Sequence, residues 1–330
     1  MNGSIFYLSA DIIIYKLKGK NMKIVVLDGK TLTSDNDELE CLKEFGELII
    51  YSLTKPEEIA QRIEDADIVL CNKTALNSEN LKTAENLKYI GLFATGYNNI
   101  DIEYCRIKSI TVCNAGSYST MAVAQHTFAL ILNYYNSISK YENYVAQGKW
   151  KKADTFSVFK YPMHELMGKN IGIVGYGAIG KEVGKISEAF GMNVITYSRK
   201  DNMDKFCELL KKSDIITVHC PLNNESAGMF NKKVFEQCKN TLLFVNTSRG
   251  GVVVEKDLAD ALNNNIIGAA AIDVLTDEPM SEECCLYDAK NITITPHVAW
   301  APVETRRRLV NIVTENIRCF LNGNPQNKVN

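Results

Sequence analysis

The 330-residue chain is poor in the residues that usually announce special chemistry, with four histidines (His126, His164, His219 and His297), two tryptophans and seven prolines. No histidine stands at ligand spacing from a cysteine and no CxxC occurs, so no metal is expected. The ten cysteines are scattered, with only Cys284 and Cys285 close together, and read as reduced thiols of a cytoplasmic protein rather than a disulfide framework. An excess of basic charge is missing too. The 37 Lys and Arg against 39 Asp and Glu leave a net charge of −2, which offers nothing to phosphate backbones or anionic lipid, so neither nucleic acid nor membrane is an expected partner. Residues 1–21 hold two short apolar runs broken by Asp11, with no basic start and no small-residue cleavage site, which argues against a secretory signal. Because MKIVVLDG begins afresh at Met22, residues 1–21 read as an N-terminal extension outside the fold.

What is present is rhythm. From Lys23 short apolar runs alternate with helical stretches: KIVVLDG, a helix near DELECLKEF, ELIIYS, a helix near PEEIAQRIEDA, then DIVLCN, LKYIGLFAT and ITVCNA. A helical pattern spans Thr120 to Gln147, with Ser119 and Thr120 as possible caps and Gly148 closing it. The alternation then restarts with NIGIVGYG and runs to about His297, and a last helical pattern covers about Pro302 to Leu321. Strands alternating with helices mean parallel sheets covered by crossover helices, and the length is that of two domains. The final helix cannot form a domain alone and is expected to pack onto the first one.

In NIGIVGYGAIGKEVG a buried strand runs into Gly175, Gly177 and Gly180, the GxGxxG spacing, at the mouth of a helix. Gly175 permits the tight turn, Gly177 lets backbone approach a pyrophosphate and Gly180 allows close packing, while the helix N-terminus that opens at Ala178 and Ile179 offers free N–H groups. This predicts a dinucleotide site. The strand that follows ends in VITYSRKD, with Ser198 at the usual place of the ribose-binding acid and Arg199 and Lys200 next to it. Cations there, without a carboxylate, favour NADP over NAD. The alternative is that Arg199 and Lys200 are solvated loop charges and that Asp201 contacts the ribose.

Three further polar residues fall at or just after predicted strand ends: Arg249 in VNTSRGG, Asp273 in AAAIDVLTDEP and His297 in ITITPHVAW, with Glu278 five residues past Asp273. With these in place the chain resembles the D-isomer-specific 2-hydroxyacid dehydrogenases from Met22 to about Leu321, on ATGYNNID, AGSYSTMAVAQHTFAL, the GYGAIG loop, VHCPL, NTSRGG, DVLTDEP and TPHVAWAP. YSTMAVAQHTFAL and PHVAWAPVETRRRL are closest in flavour to the glycerate dehydrogenase and hydroxypyruvate reductase branch.

The resemblance implies Arg249, Glu278 and His297 as the catalytic set. Oxidising a secondary alcohol needs a base for the hydroxyl proton as hydride leaves for the nicotinamide, and imidazole, which titrates near neutrality, acts in both directions. His297 takes that role, and Glu278 holds its other ring nitrogen and favours the imidazolium. Arg249 binds the substrate carboxylate and keto oxygen with a planar fork that lysine lacks. The backbone of Thr95 and Gly96 grips the carboxylate, Asp273 orients the nicotinamide carboxamide, and Thr247, Ser248, Cys220 and Pro221 lie along the cofactor. His219 in VHCPL lines the cofactor cleft or is simply a strand-end histidine, and His126 reads as a packing or interdomain residue.

The expected architecture is therefore α/β with two Rossmann-like domains. A discontinuous, flavodoxin-like substrate domain covers 22–118 plus 300–330, and a dinucleotide-binding Rossmann domain covers 119–299. The expected activity is NAD(P)-dependent hydride transfer at C2 of a small D-2-hydroxy or 2-keto acid, hydroxypyruvate or glyoxylate above all, in a homodimer. The alternatives are D-lactate or another 2-keto acid as substrate, and, in another class, a dinucleotide-sensing regulator resembling the C-terminal-binding corepressors.

Overall fold

The computed structural model describes residues 22–33 and 36–330, so the extension expected over residues 1–21 lies outside the described residues. The chain divides into two compact units: one reaches Tyr118 and takes in Val303–Asn330, and the other is Ser119–Pro302. The return to the first unit thus falls at Val303, three residues beyond the expected boundary.

The first unit is a parallel sheet of β1 (Met22–Val26), β2 (Gly46–Ile50), β3 (Ile68–Cys71), β4 (Tyr89–Leu92) and β5 (Thr111–Cys113) in the order β2-β1-β3-β4-β5. β3 and β4 are buried along their whole length, which is why IVLC and YIGL read as unbroken apolar runs instead of alternating. Short helices α1 (Ile59–Ile63), α2 (Ser78–Leu81) and α3 (Ile102–Ile107) accompany the sheet. The helix expected near DELECLKEF is a 3-10 helix, Asn36–Phe45, whose Leu39 and Leu42 are both fully buried, the three-residue spacing that a 3-10 turn stacks in line.

The C-terminal helix, Val303–Leu321, buries Leu309, Val310, Val313 and Ile317 along one stripe, each contributing about 1.5–3 kcal/mol of hydrophobic stabilisation. Arg306 pairs with Glu38 at 2.9 Å, and the Asn316 amide donates to the Asn114 carbonyl at 2.8 Å.

The second unit opens with α4 (Thr120–Tyr135) and α5 (Ile138–Ala146). The single helix expected from Thr120 to Gln147 is therefore two. The break is at Ser137, which adopts φ +51 and donates its hydroxyl to the Pro162 carbonyl, while the Asn133 side chain accepts from the backbone and hydroxyl of Ser139. Asn and Ser side chains competing for backbone groups interrupt a helix that apolar periodicity alone would carry through. A parallel sheet follows: β6 (Asn170–Val174), β7 (Asn193–Tyr197), β8 (Ile215–Val218), β9 (Leu243–Asn246), β10 (Ala269–Ile272) and β11 (Ile292–Ile294) in the order β11-β10-β9-β8-β6-β7. Helices α6 (Ala178–Ala189), α7 (Met203–Lys212), α8 (Lys232–Phe235) and α9 (Glu255–Asn263) connect them, and the final C-terminal helix is α10. Among the described residues no helix is long and apolar enough to cross a membrane.

Candidate active site

Each strand of the second sheet hands its chain to one residue of interest. Gly175 follows β6, Ser198 β7, His219 β8, Thr247 β9, Asp273 β10 and Thr295 β11, in every case as the very next residue. Because all the strands are parallel, these positions share one edge of the sheet, the edge where open α/β sheets bind ligands. The strand order reverses between β6 and β8, and there Gly175 and His219 meet.

Gly175 has φ +94, and a Cβ on it would stand 2.5 Å from the Cys220 backbone nitrogen. A Cβ on Gly180 would stand 2.2 Å from the Gly175 carbonyl oxygen, so α6 sits directly on the turn. Gly177 caps α6, and a Cβ there would meet nothing within 4 Å. The middle glycine is therefore not required by the protein's own packing. Its bare backbone faces open space beside the free N–H groups of α6, which is the room a pyrophosphate needs. His219 Nδ1 is a buried ring nitrogen with no partner, while Nε2 lies 2.9 Å from the Thr217 hydroxyl, and burial pushes the imidazole down to about 3. Burial pushes the neighbouring Cys220 thiol up, which keeps it from acting as a thiolate. An open glycine cradle and an orphaned donor-acceptor beside it fit a dinucleotide.

Asp201 Oδ2 accepts from the Ser198 backbone and hydroxyl, both at 2.8 Å, and Oδ1 pairs with Lys205 at 2.8 Å; these contacts hold its carboxyl down to about 2. The carboxylate considered for the ribose is thus turned into its own loop. Arg199 and Lys200 are exposed, and among the described residues neither makes an ion pair.

Arg249 is exposed, with Nη1 donating to the Ser248 carbonyl at 2.7 Å. Asn246, whose role spacing did not reveal, shapes this loop: its Oδ1 accepts from the Ser248 backbone and hydroxyl, and its Nδ2 donates to the Arg249 carbonyl. Gly250, also unremarked beyond its place in RGG, packs so tightly that a Cβ would fall 1.9 Å from the Leu275 carbonyl carbon. That contact sets the Arg249 loop against the loop carrying Glu278.

His297 Nδ1 lies 2.6 Å from Glu278 Oε2, and Glu278 Oε1 accepts from the Leu275 backbone at 3.0 Å. A carboxylate only accepts, so Nδ1 carries the hydrogen and Nε2 is left to exchange a proton. His297 itself has φ +54 and donates its N–H to the Asp273 carbonyl at 2.8 Å. Asp273 is 1% exposed. Its Oδ1 accepts from the Thr295 hydroxyl at 2.5 Å and the Val298 backbone at 2.9 Å, and Oδ2 from the Ala299 backbone at 2.8 Å. Most of its acceptor capacity therefore holds the His297 turn, leaving one lone pair on Oδ2 for the expected carboxamide contact.

Thr95 and Gly96 lie in the first unit, in the loop after β4. The Thr95 hydroxyl donates to the Gly116 carbonyl and the Asn114 amide donates to the Thr95 carbonyl. Among the described residues no acceptor meets the backbone N–H of either Thr95 or Gly96. A cavity of about 670 Å³ in this unit, bordered by Thr54, Pro56, Lys73 and Lys82, includes none of the expected site residues.

Comparison with known proteins agrees with this geometry. Residues 128–299 match the profile of the D-isomer specific 2-hydroxyacid dehydrogenase NAD binding domain. The chain is 42% identical to a hydroxypyruvate reductase of Blautia hydrogenotrophica over 94% of its own length and 100% of the relative's. It is 35% identical to a glycerate dehydrogenase of Methylorubrum extorquens, covering 93% and 98%. Among solved structures, the acyclic imino acid reductase Bsp5, in complex with NADPH and D-Arg, superposes with a TM-score of 0.82 at 28% identity, covering 94% of this chain and 100% of that one. The chain belongs to the D-isomer specific 2-hydroxyacid dehydrogenases, enzymes that work with NAD(P).

Proposed function

We propose that the protein reduces hydroxypyruvate to D-glycerate or glyoxylate to glycolate in the cytoplasm, with NADPH preferred over NADH. The observation that carries this reading is the His297–Glu278 pair at 2.6 Å, on the sheet edge that also bears the open glycine cradle. The substrate class is supported by the two relatives, a hydroxypyruvate reductase and a glycerate dehydrogenase. NADPH preference is supported by Arg199 and Lys200, exposed and without an ion pair among the described residues, and by the engagement of Asp201 with Ser198 and Lys205.

Gly175, Gly177 and the N-terminus of α6 would hold the pyrophosphate, with Thr247, Ser248 and Pro221 alongside. A bound nicotinamide supplies the hydride. His297, with Nδ1 held by Glu278, donates the Nε2 proton to the keto oxygen in reduction and takes it back in oxidation. Arg249 binds the substrate carboxylate and stabilises charge developing on the keto oxygen. In the first unit, the backbone N–H groups of Thr95 and Gly96, which meet no acceptor among the described residues, suit them to bind a carboxylate. The domain roles follow: 22–118 with 303–330 for substrate, 119–302 for dinucleotide. A homodimer is supported by aromatic area left open in the second unit, where Phe156 and Phe159 are 89% and 87% exposed. Sedimentation of wild type and F156S/F159S tests the dimer, the variant being expected to shift toward monomer.

Initial rates on hydroxypyruvate, glyoxylate, pyruvate, 2-ketoisocaproate and 3-phosphohydroxypyruvate, each with NADH and NADPH, test the reading. Hydroxypyruvate or glyoxylate is expected to lead with NADPH; pyruvate in the lead would make the enzyme a D-lactate dehydrogenase.

A further inference from the structure

Helix α4 touches two of the loops that carry the proposed chemistry, and it does so with adjacent residues. The Thr127 hydroxyl lies 3.1 Å from the hydroxyl of Thr247, which opens the Arg249 loop, and both groups are buried. His126 Nε2 lies 3.0 Å from the hydroxyl of Thr295, which opens the His297 loop, and 3.5 Å from Asp273 Oδ1.

The direction of these bonds is determined by Asp273. Its carboxylate only accepts, so the single hydroxyl proton of Thr295 goes to Oδ1 at 2.5 Å. Thr295 then meets His126 as an acceptor, and His126 Nε2 must carry a hydrogen. The result is a directed chain in which His126 donates to Thr295 and Thr295 donates to Asp273. Asp273 in turn collects the N–H groups of Val298 and Ala299, the two residues after His297. His297 sits at φ +54, a conformation that L side chains avoid and that persists only when its surroundings impose it. Asp273 imposes it from both sides, through its carbonyl to the His297 N–H and through its carboxylate to the next two amides.

We infer that His126 is a positioning residue: its Nε2–H, delivered from α4 through Thr295, holds the Asp273 carboxylate and thereby the turn that presents His297. The inference rests on the proposed role of His297 for its catalytic consequence, while its structural part stands apart from that role.

The test uses the full chain as wild type, H126Q, H126F, T295V and H126F/T295V. Glutamine can place an N–H near the position of Nε2; phenylalanine keeps the ring and removes the donor. Two readouts are taken: deuterium exchange of the Val298 and Ala299 amides without ligands, and kcat and KM for hydroxypyruvate with NADPH. H126F is expected to speed the exchange at least about tenfold and to lower kcat by about 10- to 100-fold, with both KM values within about threefold, the range seen when groups behind a reacting residue are lost. H126Q should stay within about threefold of wild type on every measure, and the double variant should be no worse than the more damaged single one. Unchanged exchange in H126F, an H126Q as damaged as H126F, or losses that multiply in the double variant would overturn the inference. Should H126F fail to fold, T295V removes the same link and is judged by the same thresholds. A wild type inactive on keto acids would remove the functional reading, and the exchange comparison would still decide the link.

Discussion

Glu278 Oε2 stands 2.6 Å from His297 Nδ1 across 19 residues of sequence, and the same carboxylate is steadied by the Leu275 backbone. A charged acceptor fixed behind the imidazole leaves Nε2 as the proton-exchanging atom. E278Q keeps the shape and removes the charge. Its kcat for keto-acid reduction is expected to fall by about 10- to 100-fold with little change in KM, read by steady-state kinetics.

Arg249 spends one guanidinium nitrogen on the Ser248 carbonyl and keeps the rest of its fork exposed. R249K retains the charge and loses the fork, so kcat/KM for hydroxypyruvate is expected to drop at least about 100-fold. Full activity in R249K would mean that a point charge suffices.

Gly177 and Gly180 differ in what surrounds them, and the same substitution should separate them. A Cβ at Gly177 meets nothing within 4 Å, so G177A should unfold within about 0.5 kcal/mol of wild type while binding dinucleotide at least about tenfold more weakly. At Gly180 the Cβ would press on the Gly175 carbonyl at 2.2 Å, and G180A should lose about 1–3 kcal/mol of stability. Urea unfolding and fluorescence titration with NADPH read the two effects.

His219 is held neutral by burial, its imidazole pushed down to about 3. An unfolded histidine takes up a proton below about pH 6.5 and the folded one does not until far lower pH, so this contribution to stability is intact above pH 6.5. It is lost as pH falls from there toward 3, at about 1.4 kcal/mol per unit. Urea unfolding at pH 7, 6 and 5 should show a flatter acid slope in H219Q than in wild type; equal slopes would mean that the ring is protonated in the folded protein.

Arg199 and Lys200 carry the proposed cofactor preference. In R199A/K200A, Kd for NADPH is expected to rise about tenfold at low salt while Kd for NADH stays within about twofold, because only the 2′-phosphate adds charge there. Equal weakening of both would leave Asp201 or Ser198 as the ribose contact.

The end of β10 was legible because an apolar run buried on both faces stops at the polar residue that leaves the sheet, Asp273. The glycine loop was legible for the same reason. Helices α2 and α3 were not, being four and six residues long and too short to display a period. The break at Ser137 was hidden because the apolar pattern runs on through a hydrogen bond to Pro162, 25 residues away. His126 looked like a packing residue because its partner Thr295 is 169 residues distant, and nothing local marks a bond that only the folded sheet creates. Asp273 was found by position, but its hold on the His297 turn depends on two backbone amides that carry no sequence signal.

The most direct measurement is the initial rate of hydroxypyruvate reduction with NADPH by wild type and H297A, with dinucleotide binding measured in both. Fast turnover by wild type, a fall of about 100-fold or more in H297A and unchanged NADPH binding are the expected result. Equal rates in the two proteins would remove His297 as the proton donor, and a wild type that binds NADPH yet turns over no keto acid would point to a dinucleotide sensor instead.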